Sequence, residues 1–230
     1  MEGAFVVLPV LVFLAVWGLH RTALAKTRKG PSSVAVGAGL FLWLWGTAGV
    51  GLSGILLRFD LQPPPFGILI LAVLVASCSF GLSRIGETLA TLPLSWLVGL
   101  HAFRLPLELV MHQASVEGVM PAQMSYSGWN FDIVTGATAL LLAPAIAAGA
   151  VPRWVIVAWN ALGAILLVNV VTIAILSSPL VRGFGTEPRE VNTFVAFFPF
   201  VWLPAVLVST AIAFHIVIAR ALWRGPGPSA

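Results

Sequence analysis

RWVIVAWNALGAILLVNVVTIAIL, residues 153–176, carries a single formal charge, Arg153, at its first position. As a helix rising 1.5 Å per residue the segment is about 36 Å long, enough to cross a hydrocarbon core of about 30 Å. A helix also satisfies every backbone polar group within the segment, which lipid cannot do. Comparable apolar runs recur, and the expected spans are 4–24, 34–57, 66–83, 92–113, 131–150, 153–176 and 194–219. The fold predicted is all-α: a polytopic transmembrane helical bundle of seven spans in a single domain, 1–230.

Composition agrees with that class. Hydrophobic residues make up 59% of the chain, charged residues only 9%, and mean hydropathy is +1.01. The net charge of +4 would favour nucleic acid in a soluble domain, but here the basic residues lie in loops and act as topology signals, so no nucleic-acid partner is expected. Cys78 is the lone cysteine, which rules out an intramolecular disulfide or a CxxC pair. Glu2 is the only charge before the first apolar run, and the basic cluster follows that run. Span one therefore reads as a retained helix rather than a signal peptide. The break Val151-Pro152-Arg153 marks either a tight hairpin or a kinked pair of helices.

An outside N-terminus would place Arg21, Lys26, Arg28, Lys29, Arg84, Arg153, Arg220 and Arg224 in the cytoplasm, against Arg58, Arg182 and Arg189 outside. The bias predicts N-out and C-in. The longer loops, including the segments from Ala114 to Asn130 and from Ser177 to Thr193, then lie outside, and the expected location is a cell inner membrane.

Span four is the exception to an otherwise apolar pattern. At about 100° per residue, His101, Glu108, His112 and Ser115 fall within roughly 60° of one another, with Arg104 at the border. Ionisable groups in hydrocarbon persist where they pair, line a wet cavity or do chemistry. One reading is structural, an i,i+4 ion pair between Arg104 and Glu108 with the histidines bonded to neighbouring helices. The other is a pathway or binding site for a small solute or ion, coupled to protons, in which Glu108 titrates, Arg104 holds its charge state or an anionic ligand, and His112 shuttles protons at the mouth. The loop Gln123 to Asp132 follows at the same end, so the expected mouth comprises Glu108, His112, Glu117, Tyr126, Asn130 and Asp132. Locally, Ser127 or Asn130 would cap span five and Asp132 would favour its N-terminus.

Other chemistries compete for the same residues. Glu108 and His112 have the spacing to share a metal ion, given a third ligand such as Asp132 or Glu117. His20, His101 and His215 are candidate haem ligands, two of which would have to meet across an iron. A third alternative is a non-catalytic subunit whose stripe binds a partner helix. Retinal chemistry is excluded because the only lysines, Lys26 and Lys29, lie in a loop. Gly51-Leu52-Ser53-Gly54 matches the GxSG of intramembrane proteases, but Ser53 comes late in its span, so packing is the better reading. No HExxH, P-loop or dinucleotide fingerprint is present.

Further polar and small residues set expectations for packing. Ala35, Gly39, Gly46 and Ser53, with Gly49 beside them, form a stripe expected to seat a neighbouring helix. Asn160 and Asn169 are nine residues apart, hence on opposite faces of one helix, each hydrogen-bonded to a different neighbour. Pro199 and Pro204 should kink span seven.

The run from Arg104 to Asp132, with Trp159-Asn160, Asn169, Ser177-Ser178-Pro179, Phe198 to Pro204 and His215, resembles a group of bacterial multi-span inner-membrane proteins with no assigned activity. The resemblance covers roughly the C-terminal two thirds of the chain. It implies inner-membrane residence and no particular reaction.

Overall fold

The computed structural model describes residues 2–224, and among them every regular element is helical. Helix α1 is Ala4–Thr27, α2 Ser33–Leu52, α3 Pro65–Leu82, α4 Arg84–Leu89, α5 Leu94–Leu100, α6 Arg104–Val116, α7 Ile133–Ala147, α8 Arg153–Leu176 and α9 Ser209–Trp223. A π-helical turn, Leu203–Val208, runs directly into α9, while a 3-10 turn, His101–Phe103, joins α5 to α6.

Six of these helical stretches are long and apolar enough to cross a membrane: the four helices α1, α2, α3 and α8, the α5–α6 unit Leu94–Val116, and Leu203–Trp223. Their exposed residues include Leu11, Phe41, Leu71 and Ile165, all more than half exposed, and Leu141 on α7 is exposed as well. A bundle in water would not present so many large apolar side chains to solvent. The seventh expected span is shorter than predicted. Helix α7 has 15 residues, about 22 Å of rise, and it packs along both α5 and α6.

Span boundaries shift for local reasons. Helix α2 stops at Leu52 because Gly54 turns left-handed at φ 72°, so the predicted 34–57 loses its last turns. Span four is broken at its middle, since Pro106 has no N–H to return to Ala102 and the chain tightens into 3-10 geometry before it. Span seven becomes a continuous helix only at Leu203. Pro199 therefore precedes it and Pro204 lies in its first turn, where the widened π turn takes the place of a mid-helix kink.

Helix α9 is the hub, packed against α3, α5 and α8, and its Phe214, Val217 and Ile218 are buried with Leu97 and Leu89. Helices α3 and α8 both lean on α9, yet they are not close neighbours of each other. The small-residue stripe on α2 does not do what its spacing promised. A Cβ at Gly39, Gly46 or Gly49 would meet no heavy atom within 4 Å, whereas one at Gly37 would meet the Trp17 indole and one at Gly51 would meet Val201 and Phe198. The tight seam of α2 lies on another face, where Val36, Thr47 and Ala48 are buried.

Candidate functional site

Arg104 is the largest fully buried side chain, 1% exposed. A guanidinium in that setting needs an anion and good acceptors. It has both, but not from Glu108. Its Nε and Nη2 hold the two carboxylate oxygens of Asp132, which lies at the start of α7, in a buried bidentate ion pair. The i,i+4 pair expected along span four is thus replaced by a pair between helices. The reason is backbone proximity. A Cβ at Gly136 would collide with the Leu105 nitrogen and the Arg104 carbonyl carbon, so only glycine lets α7 approach this closely and bring Asp132, one turn earlier, onto Arg104. Asp132 consequently makes no side-chain cap to α7.

Arg104 Nη1 lies 3.0 Å from His215 Nε2. Arginine can only donate, so Nε2 accepts and the imidazole is the neutral tautomer protonated on Nδ1. That N–H donates to Asn160 Oδ1 at 2.9 Å, and Asn160 Nδ2 donates to the His215 carbonyl at 3.2 Å. Gly163 makes room for the ring: a Cβ there would stand 2.6 Å from His215 Cε1. Asn169, on the opposite face of α8, donates to the Trp129 carbonyl at 2.8 Å, so the two asparagines do meet different neighbours.

Glu108 is 1% exposed and lies on the wall of the same buried region. Asn130 Nδ2 donates to both of its carboxylate oxygens, each at 2.9 Å, and Asn130 Oδ1 accepts from the Asp132 backbone N–H at 3.0 Å. Among the described residues Glu108 has no ion-pair partner. Within this cluster Arg104 therefore faces two carboxylates, Asp132 in direct contact and Glu108 not.

The expected mouth divides. Asn130 and Asp132 join Glu108 and Arg104. His112 instead bonds Ser127 at 3.2 Å and stacks on Tyr126, ring centroids 4.5 Å apart, in a half-exposed group of its own. Glu117 is exposed and accepts from Gln113. No three His, Cys, Asp or Glu side chains among the described residues gather as a metal would require, so the proposed Glu108–His112 site lacks its third ligand. The haem pairing of His101 with His215 fails on space. Their rings lie 4.3 Å apart, centroid to centroid, and the nitrogens of His215 are bonded to Arg104 and Asn160, which leaves no position for an iron and porphyrin between them. His101 packs edge-on to Trp159, and among the described residues neither its ring nitrogens nor those of buried His20 have a hydrogen-bond partner.

A cavity of about 260 Å³ adjoins this cluster, lined by α3, α6, α8 and the π turn. Arg104, Glu108 and Asp132 contribute polar groups to a wall otherwise made of residues such as Phe66, Val73, Leu167 and Leu207. Asn192 also lines it, a residue that no sequence pattern singled out. It is 2% exposed, and its Oδ1 has no hydrogen-bond partner among the described residues.

These features define a helical protein with the helix length, apolarity and exposed apolar side chains of a multi-span membrane protein, built around a buried ion-pair network. Residues 65–223 match the model of a domain of unknown function, DUF8737. The match covers more than half of the chain, which therefore belongs to that family, and it spans every residue of the network. No curated protein and no solved structure matches the chain.

Proposed function

We propose that the protein is a seven-span inner-membrane protein, N-terminus outside and C-terminus cytoplasmic, that handles a small solute or ion through the buried network, coupled to protons. Helix α7 serves as the seventh crossing: it is short, but it accompanies both halves of the α5–α6 unit. The bias of basic residues supports the orientation, with Lys29, Arg220 and Arg224 gathered at one end around Ser83, Glu87 and Thr88.

One observation carries the functional reading. Glu108 is buried on a cavity wall, bonded by a neutral amide and not by a cation. A carboxylate in that position is balanced by a proton or by a cationic ligand, and exchange of the two is the elementary step of coupling. Arg104 and Asp132 satisfy one another and hold the frame. The stripe is bonded within its own chain, which favours a ligand site over a seat for a partner helix.

Proteoliposomes with a trapped pH dye test this. Sodium, potassium, small amines and carboxylates are added outside in turn. At least one should drive proton movement in the wild type that Glu108→Gln loses while its folding is retained. Equal responses from wild type, variant and empty liposomes would overturn the reading.

A further inference from the structure

Resting on that reading, we infer that the ligand at Glu108 is an amphiphilic primary amine, an ammonium head on an apolar chain, which enters from the membrane interface between the outer ends of α3 and α8.

The opening lies at one end of the bundle. Helices α3 and α8 both line the cavity without packing closely on each other, and its exposed lining residues are Gly67 in the first turn of α3, Ile175 in the last turn of α8 and Leu180 just beyond it. In the proposed orientation these are the outer ends of the two helices, at the level of the membrane interface, where an amphiphile concentrates. The body of the cavity is apolar, so a hydrated ion or sugar has nothing to replace its water, whereas a hydrocarbon chain does. At about 30 Å³ for each water-sized group, 260 Å³ takes roughly nine such groups.

The head is chosen by the acceptors. Among the described residues, Glu108 offers a carboxylate with no cation on it, and Asn192 Oδ1 is a buried acceptor with no donor. Arg104, the one cation on the wall among the described residues, is already engaged by Asp132 and His215. An ammonium has three donors, no acceptor and the complementary charge. A carboxylate or a phosphate head would meet Glu108 with like charge and find no uncommitted cation on the wall among the described residues. That excludes phospholipid headgroups from the site even when they carry an amine.

Equilibrium binding to the protein in lipid nanodiscs, with empty nanodiscs subtracted, tests the assignment using octylammonium, octanol and octanoate. Octylammonium should bind saturably, at least about tenfold more tightly than octanol, with octanoate weakest. Glu108→Gln should lower octylammonium to the level of octanol, and Asn192→Leu should weaken it several-fold. Val171→Trp, which fills the cavity and leaves Glu108 in place, should abolish binding of both. Octanol or octanoate binding as well as the amine would overturn the inference, as would unchanged amine binding in Glu108→Gln, or no saturable binding at all. If octylammonium does not bind while another solute drives Glu108-dependent proton movement, the amine assignment falls and the proposed function stands.

Discussion

Asp132, not Glu108, holds the guanidinium of Arg104, although Glu108 lies one turn away on the same helix and Asp132 is 28 residues further along the chain. The consequence is a division of labour between the two carboxylates. One completes a buried pair that ties α7 to α6, and the other is left facing a cavity.

Removing one member of the pair should be costly, and removing both much less so. Arg104→Met or Asp132→Leu alone strands a buried charge, with an expected loss of about 3–5 kcal/mol, while the double variant should recover most of it. Thermal unfolding of the purified protein in detergent reads the cycle. Simple addition of the two single losses would mean that the pair is not coupled.

Glu108→Gln should behave oppositely. The amide keeps an oxygen for Asn130 and introduces no unpaired charge, so stability should stay within about 1 kcal/mol of wild type even as proton movement is lost. A collapse in melting temperature comparable with that of the Arg104 variant would assign Glu108 to the structural frame.

Close backbone approach predicts a contrast between glycines. Gly136→Ala drives a methyl group into the α6 backbone and should cost about 1–3 kcal/mol or more, loosening Arg104 from Asp132. Gly39→Ala meets open space, so it should be neutral or stabilising by up to about 1 kcal/mol. Similar melting temperatures for the two variants would contradict the α6–α7 contact.

Orientation can be read with a thiol reagent that does not cross membranes. In a Cys78→Ser background, cysteine in place of Glu187 should label in intact cells, while cysteine in place of Lys29 should label only after lysis. The reverse pattern would invert the topology.

At the exposed Arg58–Asp60 pair, the hydrogen bond from Arg58 lowers the Asp60 carboxyl below its ordinary value of 3.8. A lowered folded value stabilises above the unfolded value, and that contribution disappears as pH falls through the folded one. Both groups are well solvated, so the effect is small. Asp60→Asn should match wild type in melting temperature at acid pH and fall slightly below it at neutral pH. A larger deficit at acid pH would reverse the sign.

Much of the architecture was legible in the letters because lipid imposes one simple rule: about 20 apolar residues in a row must be helical. That rule located the apolar segments and marked Arg104 and Glu108 as residues that need a reason to be there, while Asn130 and Asp132 were legible only as members of a loop following at the same end. Helix ends were harder to read, since Pro106 and Gly54 act through local backbone geometry that hydropathy does not register. The α2 glycines misled for a related reason: spacing shows that residues share a face, but not which face meets a neighbour.

Pairing was not legible. Periodicity ranks partners by distance along one helix and so favoured Arg104 with Glu108. The actual contacts, Arg104 with Asp132 and His215, are fixed by where Gly136 and Gly163 allow backbones and rings to approach. Asn192 carried no signal at all, because an asparagine in a loop is ordinary until the fold buries its oxygen against a cavity. The sequence by itself determined a helical chain suited to the bilayer, with charges too costly to be idle. Only the tertiary structure decided which charge was neutralised and which was left open, since neutralisation depends on distances of a few ångströms between helices that lie far apart in the chain.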